Sequence, residues 1–60
     1  MSWDGKVLIT TGVNAGKQWK DLHRNSLDYY TDWRNKNKVP EAWRNFAELE
    51  IARRDKAGIY

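Results

Sequence analysis

The first apolar run of the chain, Lys6-Val7-Leu8-Ile9-Thr10-Thr11, is rich in β-branched residues and stops at Gly12, so it predicts a β-strand. Val7, Ile9 and Thr11 would share one face of that strand, with Leu8 and Thr10 on the other. Asn14-Ala15-Gly16 offers the left-handed backbone that a hairpin turn needs. Gln18 and Trp19 then begin a shorter returning strand that ends near Asp21. A two-stranded hairpin is marginal alone, so a helix is expected to cover one face.

Beyond His23-Arg24-Asn25-Ser26 the apolar spacing changes from two to between three and four. Asn25 or Ser26 is a suitable N-cap, and Asp28 complements the positive end of the helix dipole. Leu27, Tyr30 and Trp33/Arg34 recur at helical spacing, which predicts a helix of about three turns with Trp33 buried. Asn35-Lys36-Asn37-Lys38 is polar and ends it. Val39-Pro40-Glu41 restarts a helix, proline being well accommodated at a helix start. On a helical wheel Val39, Ala42, Trp43, Phe46 and Leu49 fall on one face. This helix is expected to run to about Lys56, with Arg53, Arg54 and Lys56 in its last turns and Gly58 as the stop. The predicted class is α+β: a single small domain over residues 1–60, with an N-terminal β-hairpin packed against two α-helices (ββαα).

Composition says what must hold such a domain together. A chain of this size buries only about 60% of its unfolded surface, and with no cysteine neither a disulfide nor a thiolate metal site can staple it. Four tryptophans, three tyrosines and one phenylalanine supply the apolar area instead. No apolar run approaches the roughly 20 residues of a bilayer span. The segment Met1-Ser2-Trp3-Asp4-Gly5 has no signal-peptide core, so a cytoplasmic protein without membrane contact is expected. Eleven Lys and Arg against eight Asp and Glu leave a net charge of +3, which favours phosphate-bearing or acidic partners.

No catalytic constellation accompanies these features. Gly12-x-x-x-Gly16-Lys17 is one residue short of a P-loop between its glycines, and Gln18 stands where Ser or Thr would hold magnesium. The turn reads as a hairpin turn with an exposed lysine, although backbone N–H groups in a glycine turn plus one lysine can hold a single phosphate. His23 has no converging His, Cys or Glu partners, so it reads as a surface residue near a helix entry. Asp28 and Asp32 lie four apart on one helical face and read as a solvated pair rather than a metal site. Neither a cofactor nor a small-molecule substrate is indicated, and an enzyme is not expected.

Cations interleaved with aromatics are the stronger signal. Trp19 lies between Lys17 and Lys20, Trp33 precedes Arg34, and Trp43 precedes Arg44. Single-strand binders combine stacking rings with a cationic groove in this way. Trp3 and Tyr60 are the aromatics freest to face a partner. Glu50 and Arg53 fall on the apolar side of the second helix. If buried, they must pair with each other or with backbone groups. Alternatively the second half of that helix overhangs the core and its arginines sit in solvent, or Arg53, Arg54 and Lys56 form a basic patch.

The order Gly12-x-x-x-Gly16-Lys17-x-Trp19-x-Asp21-Leu22, then Leu27-x-Tyr29-Tyr30-x-x-Trp33, then Glu48-Leu49-Glu50-x-x-Arg53-Arg54 resembles a small bacterial and phage module. That module forms the C-terminal domain of exodeoxyribonuclease X-like proteins and also a family named for quorum-sensing-regulated virulence factors. The resemblance spans about residues 7 to 54. The chain departs from the module at Val13-Asn14, where Lys-Tyr is usual, and at Asp32, where an apolar residue often stands. What the resemblance implies is a non-catalytic accessory module associated with DNA metabolism. Two functions are therefore expected. The first is nucleic-acid binding through Lys17, Trp19, Lys20, Arg24, Arg34, Lys36, Lys38, Arg53 and Arg54. The alternative is a small, phage-encoded protein that binds and inhibits or adapts a host protein, using the Trp, Tyr and Arg that interfaces favour.

Overall fold

The computed structural model describes residues 2–60, and Met1 lies outside them. Regular structure resides in two α-helices, α1 (Arg24–Thr31) and α2 (Glu41–Ala57), with 3-10 turns at Trp19–Asp21 and Trp33–Asn35. Among the described residues there is no β-strand. The expected hairpin, and with it the α+β class, gives way to a small all-helical fold whose N-terminal third is a folded-back loop.

The reason is visible in the backbone hydrogen bonds of that loop. Leu8 and Gln18 form one isolated antiparallel bridge. The Ile9 N–H donates to Lys17 O at 2.9 Å while the Gly16 N–H donates to Ile9 O at 2.8 Å. Two residues of the returning segment thus oppose one, a bulge whose first member, Gly16, has φ +86°. Beyond the bulge, Trp19 and Lys20 still donate to Val7 O and Gly5 O, at 3.1 and 2.8 Å. The Asp21 and Leu22 N–H groups instead turn back to Gln18 O and Trp19 O, at 3.0 and 3.3 Å, closing a 3-10 turn. Side-chain packing selects this path over pairing: Ile9 is buried, Trp19 is buried, and Val7 and Leu8 remain exposed.

α1 begins earlier and ends sooner than the apolar spacing predicts. Its N-cap is His23, not Asn25 or Ser26, and the His23 Nδ1 accepts from the Asn25 N–H at 3.1 Å. At the other end Asp32 leaves helical backbone (φ −68°, ψ 120°), and its carboxylate accepts the Arg34 N–H at 3.0 Å. This cap starts a new turn before the predicted end, and it swings Trp33 off the buried face.

α2 follows Pro40 as expected and stops at Gly58, where the Ile59 N–H reaches Arg54 O at 2.9 Å. Its inner face is rotated from the predicted one. Ala47, Glu50 and Arg54 are buried, Trp43, Phe46 and Ile51 are half-buried, and Ala42 and Leu49 are exposed. No helix of the described residues is long and apolar enough to cross a membrane.

The core comprises Ile9, Trp19, Leu22, Leu27 and Ala47, ringed by Trp3, Tyr30, Trp43, Phe46 and Ile51. Trp19 is its hub. Its ring centroid lies 5.6 Å from Tyr30, 6.1 Å from Trp43 and 5.8 Å from Phe46, with the Tyr30 and Trp43 pairs edge-to-face. Trp3, expected to be free, stacks on Phe46 at 5.3 Å.

Gly5 is fixed by sterics as well as by its φ of +76°, because a Cβ there would lie 2.6 Å from Glu50 Oε1 and 2.8 Å from Lys20 Cβ. A Cβ at Gly16 meets nothing within 4 Å. Gly16→Ala is therefore expected to cost only the backbone penalty, about 1–2 kcal/mol, and Gly5→Ala clearly more. Urea unfolding of the two variants checks the order; equal destabilisation would contradict the close approach at Gly5.

Candidate functional site

Arg54, expected at the surface, belongs to the interior together with Glu50. Glu50 is 0% exposed and Arg54 5%. The Arg54 Nε donates to Glu50 Oε2 at 2.7 Å, and its Nη2 reaches Trp19 O, Lys20 O and Leu22 O at 3.3, 3.2 and 2.7 Å. Arg54 Nη1 donates to Tyr60 O at 3.2 Å. Arg53 braces the same carboxylate from the rim, Nη2 to Glu50 Oε2 at 2.7 Å, and Trp3 Nε1 donates to Glu50 Oε1 at 3.1 Å. The expected pairing of Glu50 with Arg53 is present. Neither an overhanging helix end nor a basic patch containing Arg54 is. Burial raises the Glu50 carboxyl, but the hydrogen bonds from Arg53, Arg54 and Trp3 outweigh it and hold the group below its ordinary value.

The remaining arginines are neutralised locally. Arg24 lies 3.3 Å from Asp28 and 3.6 Å from Asp55, with its guanidinium 5.2 Å from the Tyr60 ring centroid. Arg44 pairs with Glu48 at 3.6 Å. Arg34 grips Asp32 through Nη2 at 2.7 Å and Nε at 3.1 Å. Those side-chain bonds, with the Arg34 N–H, take the Asp32 carboxyl down to about 2. Asp28 and Asp32 thus serve arginines and a helix end. Among the described residues no three His, Asp or Glu gather as a metal site. The lysines differ: among the described residues none of them enters an ion pair. Lys17, Lys20, Lys36 and Lys38 are all exposed, and Lys17 reaches only Asn14 Oδ1, at 3.5 Å.

The glycine turn cannot cradle a phosphate with the amides of its second half. The N–H groups of Ala15, Gly16 and Lys17 are committed to Gly12 O, Ile9 O and Asn14 O at 3.2, 2.8 and 3.1 Å. His23 is exposed and spends its Nδ1 on the α1 cap.

Trp19 and Trp33 exchange their expected places. Trp19, read as part of the binding surface, is 1% exposed, and Trp33, read as core, is 70% exposed. Trp33 stands on the 3-10 turn between the helices, next to Arg34 and just before Lys36 and Lys38. That turn is held against the last turn of α1 by Asn35 Nδ2, which donates to Tyr29 O at 3.1 Å. The sequence signal for this arrangement is Asp32: an Asp before a polar, Asn-rich stretch caps a new turn more readily than it continues a helix. An open groove of ≈400 Å³ is lined by Val13, Asn14, Asn25, Ser26, Tyr29 and Tyr30. A second, more apolar groove of ≈470 Å³ is lined by Ser2, Trp3, Asp4, Val7, Phe46 and Leu49.

No known protein family matches the sequence, and no curated protein or solved structure is significantly similar to it. The surface geometry alone bears on function.

The depressed Glu50 carboxyl fixes a pH dependence. Its contribution to stability is complete above the ordinary carboxylate pKa and drains away as pH falls through the folded-state value, because the unfolded chain takes up the proton more readily. Glu50→Gln leaves Arg54 buried without its counter-charge. At neutral pH it is expected to cost about 3–5 kcal/mol, most of what a domain this small holds in reserve. Circular-dichroism melts at neutral pH check the effect. An unchanged melting temperature in the variant would contradict a buried ion pair.

Proposed function

We propose that this chain is a non-catalytic module that binds single-stranded nucleic acid in the cytoplasm, through the segment Trp33–Lys38. One observation carries the reading: the one tryptophan of the four that is exposed, Trp33, is followed directly in the chain by the exposed cations Arg34, Lys36 and Lys38. Trp19 lies in the core, and Trp3 and Trp43 pack against it.

An exposed indole face is a stacking platform, and a base is a natural ligand for it because every base has a π-face. Such stacking is worth about 1–3 kcal/mol per base and is tolerant of sequence. The flanking cations suit the phosphates on either side. Lys36 and Lys38 are free to do so at once; Arg34 would first have to exchange or share Asp32. Lys17 and Lys20 are exposed cations outside that segment, Arg24 is taken up by Asp28 and Asp55, and Arg53 and Arg54 are occupied by Glu50 and take no part. This surface lies on the turn between the helices rather than at the glycine turn.

A labelled single strand of about 16 nucleotides, titrated at low salt and read by anisotropy, tests this. Binding is expected with quenching of Trp33 emission. Trp33→Ala is expected to weaken it by about ten-fold or more. Replacing Lys36 and Lys38 by Gln should reduce the slope of log K against log salt by about 0.7 for each phosphate no longer neutralised. Absence of any anisotropy change would remove the proposal. A stoichiometric protein captured by the tagged chain and resistant to nuclease would favour the alternative, an inhibitor or adaptor of a host protein.

A further inference from the structure

The groove between the Val13-Asn14 loop and α1 has a chemical character distinct from the Trp33 platform. Its rear wall is Tyr30, whose ring is locked edge-to-face on Trp19 and Trp43 and whose hydroxyl accepts from Asn14 Nδ2 at 2.9 Å. Its side is Tyr29, half exposed, with ring centroid 5.8 Å from Tyr30 and the two planes at 78°. A planar ring stacked on one of these phenols meets the other edge-on, the arrangement that aromatic quadrupoles prefer.

The polar groups are placed around that corner. Among the described residues the Asn25 side-chain amide and the Ser26 hydroxyl have no hydrogen-bond partner in the protein, and they open on the same space. Lys17 Nζ lies 3.5 Å from Oδ1 of Asn14, one of the lining residues. Apolar walls, a few polar groups and a volume of ≈400 Å³ fall within the usual range for a small-ligand site.

We infer that this groove is a nucleobase pocket: it takes one base of the bound strand, with Tyr29 stacking, Asn25 and Ser26 meeting the base edge, and Lys17 meeting the adjoining phosphate. The inference rests on the strand-binding reading above. Asn and Ser side chains offer the donors and acceptors that base edges pair with. A purely apolar side chain would leave both groups unmet. Asn35 Nδ2 donates to Tyr29 O, so the turn that carries Trp33 is anchored on the helix that lines the groove.

The test uses a ligand too small to need Trp33. Adenosine monophosphate is titrated into the protein while the side-chain amides of Asn14 and Asn25 are followed by NMR, with ribose 5-phosphate and N-acetyltryptophanamide as comparisons. Saturable shifts of both amides with the nucleotide and not with the sugar phosphate are expected. Tyr29→Ala should abolish them, and Asn25→Ala should weaken strand binding several-fold while leaving Trp33 quenching at saturation. Unmoved amides in a protein whose Trp33 is still quenched by a strand would overturn the pocket and leave the platform intact. Equal shifts with ribose 5-phosphate would make it a phosphate site. Tighter binding of N-acetyltryptophanamide would make it a seat for a protein's aromatic side chain. Either result overturns the inference. Absence of strand binding altogether removes the platform and this pocket's role together.

Discussion

A single buried carboxylate organises this protein. Glu50 sits mid-way along α2 with no solvent contact and accepts from Arg53, Arg54 and Trp3. Because Arg54 also donates to the carbonyls of Trp19, Lys20 and Leu22, the charge pair ties the helix to segments more than thirty residues away. A sixty-residue chain without disulfides needs such long-range constraints. Gly5 belongs to the same arrangement, since only a residue without a Cβ lets the loop pass so close to Glu50 Oε1. Every polar side-chain atom buried among the described residues finds a partner, which is the condition under which buried charge is tolerated.

This internal use of charge determines what is left outside. Of the eleven cations, the five arginines each answer a carboxylate, so the cations left without an ion pair among the described residues are lysines. The aromatic residues divide in the same way. Trp19, Tyr30, Trp43, Phe46 and Trp3 close on one another, and Tyr29, Trp33 and Tyr60 remain exposed. The proposed surface is thus what the core did not consume.

How legible this was in the sequence differs from element to element. The bounds of α2 are marked by Pro40 and Gly58, residues whose backbone limits act locally and need no tertiary information. The hairpin was not legible as a loop. Its β-branched run favours a strand, but only Ile9 of that run is needed by the core, and the returning segment coils into the 3-10 turn at Trp19–Asp21 instead of continuing a ladder. The end of α1 turned on a competition that apolar spacing does not weigh. Leu27, Tyr30 and Trp33 share a face only if the helix passes through Asp32, and the Asp32 carboxylate gains more by capping the Arg34 N–H. From that one misplaced boundary follows the exposure of Trp33, and with it much of the proposed binding surface. Glu50 and Arg53 could be recognised as residues needing partners. Which backbone carbonyls Arg54 would meet depends on the fold of the N-terminal loop, and no local pattern encodes it.

Arg54 makes a further point about which substitutions this protein can absorb. Its fork hands out hydrogen bonds in several directions from one plane, to a carboxylate on one side and to a ring of carbonyls on the other. Lysine, for all its shared charge, concentrates its donors on one tetrahedral nitrogen at the tip of a flexible stem. Evolutionary drift at the solvent-facing cations can interchange the two residue types with little effect. At position 54 the same nominally mild exchange would leave carbonyls orphaned inside the protein, so this site is expected to be among the least permissive in any lineage that keeps the fold.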